Sequence, residues 1–233
     1  MLVLAWALAN LRQPMNGPIA QLVALAFHGN GFLSGILSTD FLTHNSTAQF
    51  CESVRFVRFE KSWFGTGKQS EVLVADSPDT WFAYLRKKKA EQLLVRWQAT
   101  KDPKAPDRRL AGFIGGGGSW ILVIRFANGQ FELWQARWEV GDQKRKDRKI
   151  WRVTYGCVSS GKVPPPPTIS LVSASAELKN ALLEILQFSI RKKCDGYMQC
   201  FERALKSLAG EKDSEAFHRD LFPGNIAPAV VAI

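Results

Sequence analysis

The chain has 233 residues, 46% of them hydrophobic and 22% charged. These ordinary globular proportions exclude wholesale disorder and allow one large domain, or one domain with a helical appendage. The formal net charge of +10 is localised: residues 1–50 and 164–233 are each neutral, nine basic residues face six acidic ones in 51–100, and thirteen face six in 101–163. An excess confined to the middle of the chain argues for a polyanionic partner.

In chain order, Met1–Ala9 is apolar but has no basic flank and is short even for a signal peptide, so a cytoplasmic protein is expected. No run is long enough to span a bilayer, and no membrane association is expected. Asn16 or Gly17 caps a helix with Pro18 in its first turn, which is expected to stop at Gly29 with His28 as a cation near its C-terminus. Residues 30–52 read as short helical turns. Ser53–Phe59 and Glu71–Ala75 read as strands, and Ser77-Pro78-Asp79 opens a helix that runs to about Lys89. Leu93–Gln98 alternates as a strand, and Leu110–Ile114 is a further short strand before Gly115–Gly118.

Residues 115–158 carry the strongest local signal. Trp120–Ala127 and Gln130–Val140 flank Asn128-Gly129, the pattern of a tight hairpin, and Lys149–Val158 supplies a third strand after a charged loop. A two-residue turn would place Arg125 opposite Glu132 as a cross-strand ion pair. The polar positions of the second strand change parity between Glu132 and Gln135, so a bulge near Leu133-Trp134 is expected if one face is to stay apolar. Pro164–Pro167 marks a boundary. Beyond it, a helix capped at Ser173 or Ser175 and a second from Asp195 to Gly210 read as an amphipathic hairpin. The expected organisation is an α+β domain over 1–163, a Pro-rich linker over 164–172, and a helical hairpin and tail over 173–233 packed on the sheet domain. The expected fold class is an antiparallel, curved sheet with helices on one face.

This order over residues 17–158 is similar to that of the NTF2-like fold, whose curved sheet and helices enclose a pocket. The resemblance implies a pocket protein or small-molecule enzyme, with Trp side chains, Tyr155 and Asp40 or His44 facing the cavity. An antiparallel sheet with a glycine-rich loop also resembles the repeat-associated RNA-binding proteins of CRISPR complexes.

Chemistry-bearing motifs are few. Gly65-Thr66-Gly67-Lys68 lacks the remaining residues of a phosphate-binding loop and precedes a strand, so it reads as a hairpin loop. Gly115–Gly118 opens a strand and not a helix, against a dinucleotide loop. Cys51, Cys157, Cys194 and Cys200 form no C-x-x-C pair, His28, His44 and His218 are dispersed, and no metal site or cofactor can be assembled from them. The lead that remains is basic. Lys144, Arg145, Lys146, Arg148 and Lys149 link two strands between Trp138 and Trp151, while Arg86, Lys87, Lys88 and Lys89 end the middle helix. Lys and Arg neutralise phosphates, and aromatic rings stack on unpaired bases. The expectation is a non-enzymatic basic protein that contacts RNA or DNA through these residues, both groups forming one patch, as a subunit of a larger complex. Two alternatives stand beside it: the pocket protein above, and an assembly subunit that meets a protein partner or itself through residues 173–233.

Overall fold

A computed structural model describes residues 17–38, 40–61, 69–99, 118–162 and 170–210. Readings on Met1–Ala9, Gly65–Lys68, Leu110–Ile114, Gly115–Gly117, Pro164–Pro167, His218 and the tail lie outside these residues. The described residues fall into two compact units, 17–162 and 170–210.

The first unit runs α1 (Pro18–Leu33), α2 (Phe41–His44), a 3-10 turn (Ser46–Ala48), β1 (Cys51–Lys61), β2 (Gln69–Ala75), α3 (Pro78–Lys87), β3 (Ala90–Ala99), β4 (Gly118–Phe126), β5 (Phe131–Val140) and β6 (Trp151–Gly161). Its six strands form one sheet in the order β2-β1-β6-β5-β4-β3. The α+β expectation holds, but the sheet is mixed and not strongly curled, because β1 and β6 pair in parallel. The cause is α3, which carries the chain from β2 at one edge to β3 at the other without reversing strand direction. Three antiparallel reversals from β3 then bring β6 beside β1, pointing the same way.

The central hairpin departs from its expected register by one residue. Arg125 lies opposite Phe131, and Ile124 opposite Glu132. Gly129 has φ 74° while Asn128 does not enter the left-handed region, so the turn is a three-residue loop closed by Gly129 N–H to Phe126 O and Phe126 N–H to Gln130 O. Arg125 consequently pairs with Glu91 at 3.4 Å, and Glu132 with Arg58 of β1. A register shift does fall opposite the step from Leu133 to Trp134, but the extra residue is Val158 of β6 and not a residue of β5. β5 itself keeps its alternation, with Phe131 and Leu133 on one face of the sheet and Trp134, Ala136 and Trp138 on the other, so both faces carry apolar residues and the expected single apolar face does not form.

Helices α1 and α3 pack on that second face. Phe56 of β1 stacks between Trp81 of α3 (4.1 Å between ring centroids) and Tyr155 of β6 (5.2 Å), with Trp134 edge-on to Phe56 and Trp81. All four rings are fully buried. α3 starts as expected, on a Ser77 side chain that accepts from Thr80 N–H. α1 does not stop at Gly29. A Cβ there would meet Leu93 Cδ2 at 2.6 Å and Phe82 Cε1 at 3.0 Å, so Gly29 is a site of close helix–strand approach inside the helix. His28 is accordingly not a terminal cation; its ring meets Phe41 edge-on at 5.2 Å and its Nε2 lies 3.3 Å from Asn45 Nδ2.

Two buried amides fix α1 on the sheet. Gln21 donates to Thr47 O and Cys51 Sγ and accepts from Tyr155 O–H at 2.9 Å. Asn30 donates to Leu93 O at 2.9 Å and accepts from Leu93 N–H at 2.7 Å, occupying both backbone groups that this edge residue turns away from β4.

The second unit is a helical hairpin, α4 (Leu171–Arg191) and α5 (Asp195–Leu208). Ser170, not Ser173 or Ser175, caps α4, its side chain accepting from Ser173 N–H. α5 begins at Asp195 as expected, and Gly210 follows its end at φ 82°.

Replacing Asn30 with Ala leaves two buried backbone groups of Leu93 without partners. The expected loss is about 2–4 kcal/mol, read as a lower urea midpoint at unchanged m. A loss below about 0.5 kcal/mol would show that the clamp is not what holds α1 to β3.

Candidate polyanion surface and its adjoining pocket

The 141–150 loop leaves β5 at Val140 and enters β6 at Trp151, and its own acids shape it. Asp142 accepts from Lys144 N–H at 2.9 Å and Asp147 from Lys149 N–H at 3.1 Å, two local turns of the kind short carboxylates favour. Arg145 forks onto Asp147, with its Nε at 3.0 Å from one carboxylate oxygen and its terminal nitrogen at 2.7 Å from the other, and it reaches Glu52 at 3.3 Å. The Arg145 bond and the Lys149 backbone N–H hold the Asp147 carboxyl well below the usual carboxylate range. Glu52 also accepts from Arg152 at 2.7 Å, which lowers its proton affinity likewise. Arg145 is therefore a brace within the loop. Lys144, Lys146, Arg148 and Lys149 are exposed and form no ion pair among the described residues.

Arg86–Lys89 do not join this patch. Lys89 O accepts from Ala127 N–H at the β4–β5 turn, while the 141–150 loop lies at the other end of β5. Ten residues of strand put about 30 Å between the two groups. Arg86 is engaged as well: its guanidinium sits over the Phe32 ring at 3.6 Å and donates to Phe32 O. Lys87, Lys88 and Lys89 remain exposed.

The structure adds arginines that the sequence reading passed over. Arg55, Thr154 and Arg137 stand opposite one another across β1, β6 and β5, and Ser53, Arg152 and Glu139 form the next row. These rows lie on the sheet face away from α1 and α3. Arg137 binds Glu71 at 2.7 Å and Arg152 binds Glu52, while Arg55 is exposed. Strand alternation around Trp138 and Trp151 already pointed Arg137 and Arg152 away from the core. Their alignment with Arg55 needed the parallel β1–β6 register.

Beside the loop lies a pocket of about 280 Å³, lined by Gly17, Pro18, Thr47, Phe50, Cys51, Trp138 and Trp151. Trp138 and Trp151 meet edge-to-face at 5.9 Å, and Trp151 N–H donates to Phe50 O, which ties the end of the loop to the start of β1. Burial pushes the Cys51 thiol up, opposed by the Gln21 amide and by the charge of Lys149. The space between helices and sheet around Tyr155, where an NTF2-like cavity was expected, is filled by Phe56, Trp81 and Trp134. Tyr155 is buried on Gln21, and Asp40 pairs with His44 in the open at 3.1 Å. Among the described residues no three His, Cys, Asp or Glu side chains converge as a metal site would require, and no helix is long and apolar enough to cross a membrane.

No family model, curated protein or solved structure matches the chain. What it does has to be argued from these residues.

The cysteines test this placement directly. Burial pushes the Cys157 thiol up to about 11, so thiolate stays scarce at pH 8. Limiting alkylation of the folded protein at pH 8 is expected to modify exposed Cys200 first and to spare Cys51 and Cys157, with the Cys157 rate climbing until the pH nears 11. Equal labelling of all four in the folded state would contradict the buried positions of Cys51 and Cys157.

Proposed function

We infer that the chain is a non-enzymatic nucleic-acid-binding protein whose contact with phosphates centres on the 141–150 loop. One observation carries the reading: the loop's acids are engaged in turns and in bracing Arg145, which leaves Lys144, Lys146, Arg148 and Lys149 exposed on a shaped scaffold. Cations held by a preformed loop lose less freedom on binding than cations on a mobile chain. Arg55 on the adjoining sheet face extends the positive surface. Lys87–Lys89, about 30 Å away along β5, would be reached only by a strand long enough to run the length of the sheet.

Binding of a short single-stranded oligonucleotide across a salt series tests this. Reversing Lys144, Lys146, Arg148 and Lys149 to Glu is expected to flatten the slope of log K against log salt by about 3 for a single strand. Reversing Lys87, Lys88 and Lys89 should leave it nearly unchanged. An unaltered slope in the loop variant defeats the reading.

A second reading is favoured by a separate observation in the helical unit. Ala174, Leu178, Ala181, Ile185 and Phe188 recur at alternating spacings of four and three along α4, the seam of a coiled coil. Leu178, Ile185 and Phe188 are 52%, 44% and 51% exposed, and α5 buries no residue fully. A hairpin of this size cannot cover both helices by itself. The seam is proposed to take the same seam of a second copy: alanines at two positions allow close approach, and Glu177, Lys179, Glu184 and Arg191 mix both signs beside it. Light scattering is expected to report a dimer that Leu178→Glu with Ile185→Glu converts to monomer. A wild-type chain that is monomeric at every concentration would exclude it.

A further inference from the structure

We propose that the pocket between α1 and the start of β1 and β6 receives one unpaired base of a bound single strand, while the strand's phosphates lie on the 141–150 loop. This rests on the nucleic-acid reading above and adds to it the kind of strand that is recognised and the place where a base is held.

Four observations converge on it. First, the lining is aromatic and apolar: Trp138, Trp151, Phe50 and Pro18 supply flat or rigid surfaces. Second, Thr47 O and Cys51 Sγ in the wall both receive hydrogen bonds from Gln21, while the Trp138 indole N–H is buried with no partner among the described residues. Among the described residues no charged side chain lines the cavity. It therefore suits a neutral planar ring and not a phosphate or an amino acid. Third, about 280 Å³ falls just below the range of roughly 300–1,000 Å³ that houses drug-sized molecules. One heterocycle fits, with its sugar and phosphate left outside. Fourth, the pocket adjoins the cationic loop through the backbone: Lys149 is two residues from Trp151, and its charge is felt at Cys51 in the pocket wall.

The arrangement orders the two halves of a nucleotide. An anion placed on Lys149 leaves its attached base next to Trp151, where burial of the ring replaces stacking on a neighbouring base. A duplex keeps its bases stacked inside and can offer only phosphates. The pocket thus selects for unpaired nucleic acid, while the loop alone has no such preference. Base identity is read weakly at most, because the one unengaged polar group of the described wall is the Trp138 indole N–H, a single donor.

The test uses the full chain and three fluorescently labelled probes of equal length: a single-stranded oligonucleotide, the same strand with abasic sites throughout, and a duplex. The single strand is expected to bind roughly 10-fold or more tightly than its abasic counterpart and to quench tryptophan fluorescence, as stacking of a base on an aromatic side chain implies. Trp151→Leu and Phe50→Ala should each erase most of that difference while leaving the salt slope intact. Because either variant could disturb folding, the comparison of intact with abasic strand on the wild-type protein decides the matter independently. Equal affinity for the two strands, with a slope that still depends on Lys144–Lys149, overturns the pocket proposal and leaves the loop reading standing. Loss of binding by all probes overturns both. Quenching by an acidic tryptophan-bearing peptide but by no strand assigns the pocket to a protein partner and overturns the proposal as well.

Discussion

The sheet unit depends on how one apolar helix is held. α1 is hydrophobic over most of its surface, with Leu22, Ala24, Leu25 and Ala26 all buried, so burial alone does not specify its rotation or its position on the sheet. Gln21 and Asn30 supply what hydrophobicity cannot. Each has its amide satisfied by partners far away in sequence, at β6 and the 3-10 turn in one case and at β3 in the other. Nine residues separate them, about 14 Å of helix, comparable to the three strand spacings between β6 and β3. A slip of one residue would bury both amides without partners, and the low polarity of the interior makes that expensive. Gly29 completes the arrangement by letting the helix backbone approach Leu93 and Phe82.

How much of this was legible in the sequence varies with the range of the interaction involved. The cap at Ser77, the helix after it and the start of α5 are local, and local chemistry marks them. The hairpin after Phe126 was legible as a hairpin but not in register. Asn-Gly is compatible both with a two-residue turn and with a three-residue loop, and only φ at Asn128 separates them. The parallel β1–β6 pair has no local signature, since it follows from where α3 delivers the chain. Gly29 looked like a helix stop because, in sequence, a glycine that ends a helix and one that touches a strand are the same letter.

The candidate site divides along the same line. Lys144–Lys149 stands out as a run of charge, and Lys144, Lys146, Arg148 and Lys149 within it are exposed. Which of them are engaged could not be read, because Arg145 and Arg152 converge on Glu52, almost a hundred residues earlier in the chain. Arg86 is bound to Phe32 for the same kind of reason. The pocket is the least legible feature: its walls come from residues 17–18, 47–51, 138 and 151, and no stretch of sequence contains more than a fragment. Trp138 and Trp151 read as core, and partly they are; their exposed margins became a cavity wall only when β1 joined β6.

The Asn30 clamp has an effect at the periphery of the sheet as well. Both backbone groups that Leu93 turns outward on β3 are occupied, so the sheet cannot recruit another strand past that point. The opposite border is left differently: among the described residues no strand pairs with the outer side of β2, which carries exposed Val72 and Leu73. Strand-by-strand growth, whether by exchange between copies or during aggregation of partly unfolded chains, is thereby directed to β2. Among the described residues, one asparagine thus makes the two borders of the sheet unlike with respect to extension, blocked at Leu93 on β3 and uncovered along β2.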